Sequence, residues 1–283
     1  MHIIDTGTNM HTSDTVPMND EDPCATNPSA HFENYEEIAH GAYSRIYISS
    51  KDASVVIKTC DREDLLHREV AILSRLEHPN IIKHLAFDPT RRCIVLENGG
   101  VSMYDVVLGK ERVPYDMTQL VSAVVHMHER KVVHRDIKLE NIVYNHPTNA
   151  LKLIDFGLSH AYNDAEDEGC LTRRVGTHTY AAPEIFHDRP YNGFKVDIWS
   201  LGVVFFACYA YYFPFNIARE TDYRFRNIQK VQSTKQCTCD ALYNMYGNRC
   251  LMHPRLKCLI NKMLCIDARS RASIGEIDEY IRS

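Results

Sequence analysis

The first 31 residues contain no lysine and no arginine, only the acidic side chains Asp5, Asp14, Asp20, Glu21 and Asp22, so the formal net charge of −5 resides in that segment. The rest of the chain is balanced, which excludes the one-sided basic footprint of a nonspecific nucleic-acid binder. A basic stretch leading into a long apolar run is missing from the start, so no secretory leader is expected. No Asn-x-Ser/Thr acceptor exists once proline is barred from the middle position; Asn27-Pro28-Ser29 fails on that ground. Long hydrophobic runs are scarce as well. The longest, Ile198–Phe213, has 16 residues, against ~20 for a membrane span. It reads as a buried core helix, and no membrane partner is expected. Asp-Thr-Gly occurs once, at Asp5–Gly7, whereas an aspartic protease needs two such carboxylates sharing a proton. The ten cysteines are scattered through apolar contexts, as in a reduced intracellular protein of the cytoplasm or nucleus.

What is present fits a globular chain of 283 residues, long enough for one large domain or two lobes. Residues 1–31 are polar and interrupted by Pro17, Pro23 and Pro28, and read as an acidic disordered arm. From Tyr35 the pattern turns to strands, in "YEEIAHGAYSRIYIS" and "SVVIK". "EDLLHREVAILSRLEH" has the spacing of an amphipathic helix, with Pro79 as its stop. "IIKHLAF" and "RCIVLE" are strands again. After Gly99-Gly100 the chain becomes helical, in "MTQLVSAVVHMHER", "VDIWSLGVVFFACYA", "RLKCLINKML" and "SIGEIDEYI". The expected fold is α+β: a small β-rich lobe over 32–98 with one helix, then a larger helical lobe over 99–283.

The chemistry gathers in "VVHRDIKLENIVY", where His134, Arg135, Asp136, Lys138 and Asn141 stand between two apolar runs. Before it come Lys58 on "VVIK" and Glu69 on the following helix. After it come Asp155-Phe156-Gly157, then "GTHTYAAPE" and "DIWSLG". In this order the motifs resemble the eukaryotic protein kinase family over roughly residues 35–283. Lys138 and Thr177 match its Ser/Thr branch, and "YAAPEIF", "DIWSLGVV" and "FPF" look most like the calmodulin-dependent-kinase-related group. The compact spacing also resembles kinases encoded by large DNA viruses.

The resemblance implies a bilobal kinase fold, ATP and Mg²⁺ as cofactors, and protein substrates. Asp136 would orient the attacking hydroxyl and Lys138 would reach the transferring phosphate. Asn141 and Asp155 would supply oxygen ligands to Mg²⁺. Lys58, paired with Glu69, would hold the α- and β-phosphates. Ile38 and Gly41 belong to the phosphate loop. Ile46, Val56 and Val143 would sandwich adenine, with Leu96 as gatekeeper and Glu97-Asn98 offering backbone hydrogen bonds. His134, Asp197 and the pair Glu184–Arg271 would be structural supports, and Arg135 would receive a phosphate from the loop Asp155–Glu184. An upstream kinase acting on Thr172 is one implied partner; Glu166, Asp167 and Glu168 are alternative anions. The oligomeric state is not implied.

Three departures stand against the family pattern. Ala39 and Ser44 replace the first and third loop glycines, leaving Gly41. Only 11 residues separate Lys58 from Glu69, which trims the start of the helix. The stretch "LENGGVS" is about two residues short of the family pattern. The degraded loop makes a pseudokinase scaffold the alternative, opposed by the complete set Lys58, Glu69, Asp136, Asn141 and Asp155. A small-molecule kinase is a weaker rival, because "GTHTYAAPE" builds a shelf for a polypeptide. Finally, Cys237, Cys239, Cys250, His253 and Cys258 cluster near the end of the chain. Cys-x-Cys lacks the usual zinc-ligand gap, and buried thiols between helices are expected instead.

Overall fold

A computed structural model describes residues 34–41, 43–111, 113–163 and 171–283. The acidic arm 1–31, with its Asp5–Gly7 triplet, and the acids Glu166, Asp167 and Glu168 lie outside the described residues.

The small lobe is one antiparallel sheet flanked by a helix. Its strands are β1 (Tyr35–His40), β2 (Ser44–Ser49) and β3 (Val55–Cys60), then, after helix α1 (Glu63–Leu73), β4 (His84–Asp88) and β5 (Cys93–Glu97). The order in the sheet is β1-β2-β3-β5-β4. Lys58 stands opposite Ile94, and Val56 opposite Leu96, so strand register aligns the expected base pocket with the expected phosphate lysine. Helix α1 packs Leu66, Glu69, Ile72 and Leu73 inward. It ends six residues before the expected stop at Pro79. Ser74 Oγ donates to the Val70 carbonyl at 2.8 Å, and the next N–H groups bond three residues back, closing the helix in a tighter turn.

The second lobe starts with β6 (Val101–Ser102) and α2 (Met103–Leu108), then α3 (Thr118–Glu129) and β7 (Val132–Val133). Strands β8 (Ile142–Asn145) and β9 (Ala150–Leu153) pair beside β6, and β10 (His160–Ala161) pairs with β7. Helices α4 (Gly193–Ala210), α5 (Tyr223–Ser233), α6 (Thr238–Asn244), α7 (Pro254–Met263) and α8 (Ile274–Arg282) complete it.

Helix α4 holds the long apolar run. Among the described residues it is the one helix long and apolar enough to cross a membrane, yet 78% of it is buried in protein. Asn192 caps its start and Tyr211, with φ 59°, ends it in the left-handed region. A side chain at Gly202 would meet Met263 and Leu264 at 2.8–3.0 Å, so glycine lets α7 lie close against α4. The chain is α+β and bilobal, as expected.

Candidate active site

Lys58 is buried, and its ammonium donates to both oxygens of Glu69, at 2.8 and 2.7 Å. It also bonds Asp155 Oδ1 at 2.7 Å. Burial by itself would lower the Lys58 pKa, but the two carboxylates outweigh it and hold the ammonium well above its ordinary range. The Lys58 charge in turn holds Asp155 below the usual carboxylate range. Burial holds Glu69 above the usual carboxylate range, with the Lys58 charge opposing that shift. The 11-residue spacing therefore does not break the pair: α1 is short, but Glu69 faces the sheet.

Asp155 has φ 61°, a left-handed conformation that turns its carboxylate into the cleft, where the side chain is 46% exposed. The same turn buries Phe156, whose N–H donates to Glu69 Oε1 at 3.2 Å and whose ring packs on that of His134. His134 in turn donates from Nε2 to the Ile154 carbonyl at 3.0 Å.

Below the cleft, the catalytic-loop backbone is pinned by Asp197, which is 0% exposed on α4. Its Oδ1 accepts the Arg135 N–H at 2.8 Å; its Oδ2 accepts the His134 N–H at 2.8 Å and His128 Nε2 at 3.0 Å. Sequence reasoning missed His128, which looks from the sequence like one more polar residue on an amphipathic helix. Arg135 is at φ 66°, and this strained residue sets Asp136 toward the segment at Thr177.

Asp136 is the hub. Its Oδ1 accepts both the N–H and the hydroxyl of Thr177, at 2.9 Å each. Its Oδ2 meets Lys138 Nζ at 2.7 Å and Asn141 Nδ2 at 3.1 Å. Lys138 also donates to Thr177 Oγ1 at 2.9 Å. Because Asn141 turns its NH₂ toward Asp136, its Oδ1 is the atom presented to a cation. The donor set is thus Asn141 oxygen and Asp155 carboxylate, hard ligands that fit Mg²⁺. Gly176 is required here: with φ 101°, any Cβ would come within 2.6 Å of the Arg135 carbonyl.

The base pocket is partly rearranged from expectation. Ile46, Val56 and the buried Leu96 stand on β2, β3 and β5 of the five-stranded sheet, and the buried Val143 stands on β8. The Glu97 and Asn98 N–H groups are taken by the sheet, donating to the Lys83 and Ser54 carbonyls at 3.1 and 2.7 Å. They cannot both serve a ligand and the sheet. Among the described residues the Gly99 N–H makes no hydrogen bond. A Cβ at Gly99 would lie 2.3 Å from Val143 Cγ2, and one at Gly100 2.2 Å from the Tyr144 carbonyl, so both hinge glycines permit close approach.

The phosphate loop keeps β pairing through its substitutions. Ala39 stands opposite Ile46 and His40 opposite Arg45, and the Gly41 N–H closes the turn on the Ser44 carbonyl at 2.7 Å. Ile38 sits at the register shift in β1 and is 52% exposed.

Arg135 is buried and donates from Nε to the Leu158 carbonyl at 2.7 Å. The Tyr191 hydroxyl donates to the Arg173 carbonyl at 2.6 Å, and its backbone pairs with Leu171. Thr172 is exposed beside that bridge. Farther out, Glu184 and the fully buried Arg271 form a two-bond ion pair at 2.6 and 3.0 Å, with Trp199 stacked 4.9 Å from the guanidinium.

Comparison with known proteins fits this geometry. The family model described as protein kinase domain matches residues 32–280. The chain is 36% identical over 203 residues to CBL-interacting serine/threonine-protein kinase 12 of Arabidopsis thaliana, covering 65% of this chain and 41% of that protein. It is 31% identical over 279 residues to CBL-interacting protein kinase 25 of Oryza sativa subsp. japonica, covering 89% and 51%. The chain spans about half the length of the curated relatives it matches.

Proposed function

This chain belongs to the protein kinase domain family, and from that premise we propose that it is a serine/threonine protein kinase transferring the γ-phosphate of MgATP to protein hydroxyls. The observation that carries the reading is the unbroken ionic chain Glu69–Lys58–Asp155, which ties helix α1, the sheet and the cleft together. A scaffold without catalysis has no need of a lysine buried between two carboxylates, which is costly to desolvate.

Each residue then has a task in phosphoryl transfer, which asks for alignment and charge stabilisation. Lys58 holds the non-transferred phosphates. Asp136, with Thr177 fixing its orientation, accepts a hydrogen bond from the substrate hydroxyl and takes its proton as the new bond forms. Lys138, already bridging Asp136 and Thr177, neutralises charge on the transferring group. Asn141 Oδ1 and Asp155 would hold Mg²⁺, which supplies charge neutralisation at the phosphate oxygens when bound. At the hinge, the Gly99 N–H is the donor left for adenine. The acceptor chain lies on the shelf from Gly176 to Glu184.

The test is incubation of the purified chain with labelled MgATP and a generic protein substrate, followed by phosphoamino-acid analysis. Label on serine or threonine is expected. Label on no protein, with nucleotide binding intact, would replace the enzyme by a scaffold.

A further inference from the structure

The turn after α1 places a pair of histidines where the small lobe joins α3 and β9. The His78 and His126 ring centroids are 5.0 Å apart, with the planes tilted by 46°. His78 Nδ1 accepts the Asn80 N–H at 3.1 Å, so that nitrogen carries no proton, and Nε2 donates to Ser122 Oγ of α3 at 3.0 Å. These two bonds fix the ring in its neutral form. His126 Nε2 is buried and, among the described residues, has no hydrogen-bond partner. The fastening itself is Asn80. Its Nδ2 donates to Gln119 Oε1 of α3 and to the Leu151 carbonyl of β9, both at 2.8 Å, and its carbonyl accepts the Leu153 N–H at 2.9 Å. Strand β9 ends at Leu153 and leads directly to Asp155.

The charges that face the pair are mainly positive. Arg130, just past α3, and Lys152 of β9 act on His78, and Arg130 acts on His126 with Glu129 opposing it. Arg75, just past α1, donates to the Arg130 carbonyl. His78 also borders a cavity of about 470 Å³ lined by Glu77, Lys83, His84, Glu97 and Lys152. Of its two acids, Glu97 is engaged by Lys152 and by the Lys83 N–H, each at 2.8 Å, and Glu77 is exposed. Burial first, then the His126 ring and the two cations, hold His78 below its ordinary value of 6.5. Burial and Arg130 do the same for His126.

We propose that His78 and His126 form a proton-operated latch at the junction of the lobes, which holds the Asn80 turn on α3 and β9 when neutral and releases it when protonated. A proton on His78 Nδ1 would set one donor against another at the Asn80 N–H. A proton on His126 Nε2 would make a donor with no acceptor, and two charged rings would then face each other. Both are unfavourable away from water, and turning the rings out to solvent undoes the turn. The unfolded chain binds these protons more readily than the folded one. The latch's contribution to stability is therefore complete above pH 6.5 and is lost as pH falls through the depressed values. Only its effect on Asp155, and so on phosphate transfer, rests on the kinase reading, and its test needs no activity.

Nuclear magnetic resonance of the full chain from about pH 7.5 to about pH 5, above the ordinary carboxylate values, follows the two rings. A nuclear Overhauser contact between them identifies them in wild type, so this titration stands without any variant. Both are expected to titrate below 6.5. Release is read at the Leu153 amide, whose protection from hydrogen exchange, corrected for the intrinsic pH dependence, should be lost as the rings titrate. His78→Asn, with an oxygen for the Asn80 N–H, and His126→Phe, which keeps a ring, do not titrate. The double variant should keep that protection, and its melting temperature should fall less steeply below pH 6.5 than that of wild type. Either ring titrating at or above 6.5, Leu153 protection indifferent to their titration, or melting temperatures falling in parallel overturns the latch.

Discussion

Asp136 shares its two oxygens among Thr177, Lys138 and Asn141, and that division decides what its replacement does. Asp136→Asn keeps an oxygen for the Thr177 N–H and loses the anion that draws the substrate proton. Folding and ATP binding should persist while turnover falls by about 10²–10⁴, the usual worth of a positioned base. Single-turnover phosphoryl transfer measures it, and a near-normal rate would remove Asp136 from that role. Lys58→Met should instead weaken nucleotide positioning and strand two carboxylates. Asp155 gives a pH test of the same chain. Lys58 holds it below its ordinary value of 3.8, so its contribution to stability is present above that value and is lost as pH falls through the depressed range. The melting-temperature difference between wild type and Asp155→Asn should therefore be largest at neutral pH and shrink below about pH 4. A difference unchanged in acid would mean that the ion pair contributes nothing.

The segment from Asp155 to Glu184 is the element on which regulation turns. Arg135, expected to wait for a phosphate, already donates from Nε to the Leu158 carbonyl, and Tyr191 ties down Leu171 and Arg173. That bonding favours activity without phosphorylation at the exposed Thr172. Thr172→Ala is expected to keep full activity, and phosphatase treatment to leave wild type unchanged; a loss in both would restore the upstream kinase. The far end of the segment is anchored by Glu184 and Arg271. Arg271→Ala leaves the partly buried Glu184 carboxylate unpaired and removes a fully buried guanidinium, and should cost about 3–5 kcal/mol, as broken buried pairs do. Chemical denaturation reads this directly, and a change under about 1 kcal/mol would place the pair with ordinary surface bridges.

Legibility in the sequence follows from how local each cause is. Strands β1 to β5, α1, α3, α4, α7 and α8 follow from alternation, helical spacing and caps, all short-range signals. Helices α5 and α6 escaped because "YRFRNIQKVQS" shows mostly charge and amide; its buried face is only Phe225, Ile228 and Val231. Asp222, which caps that helix through the Arg224 and Phe225 N–H groups, was the signal available. The site residues were legible because the motifs hold them at fixed spacing. Their mutual bonding was not: Asp197 with His128, Arg135 with Leu158, and the hinge N–H groups taken by the sheet are contacts between distant segments.

At the scale of the whole molecule, what remains is the charge that a substrate meets. Glu140, the carboxylate beside Asn141 in the catalytic loop, accepts the Tyr180 hydroxyl at 2.9 Å. Burial, with Glu140 beside it, holds that hydroxyl far above its ordinary pKa, so it stays a donor and occupies one carboxylate oxygen. The basic residues around the shelf are engaged too. Arg174 pairs with Asp188, Arg219 lies over the Phe186 ring, Arg224 contacts Asp222 and Arg226 donates to the Glu220 carbonyl. Their repulsion of a basic peptide is softened by these contacts, and exposed pairs are worth only ~0.2–1 kcal/mol each. We therefore expect tolerance for one arginine near the acceptor through the free oxygen of Glu140, with no requirement for several. A positional peptide library measures this. Mild enrichment at one upstream position, reduced in Glu140→Gln, is the expected pattern. Strong selection for two or more upstream arginines would show that other acidic groups line the shelf and that Glu140 does not set the preference.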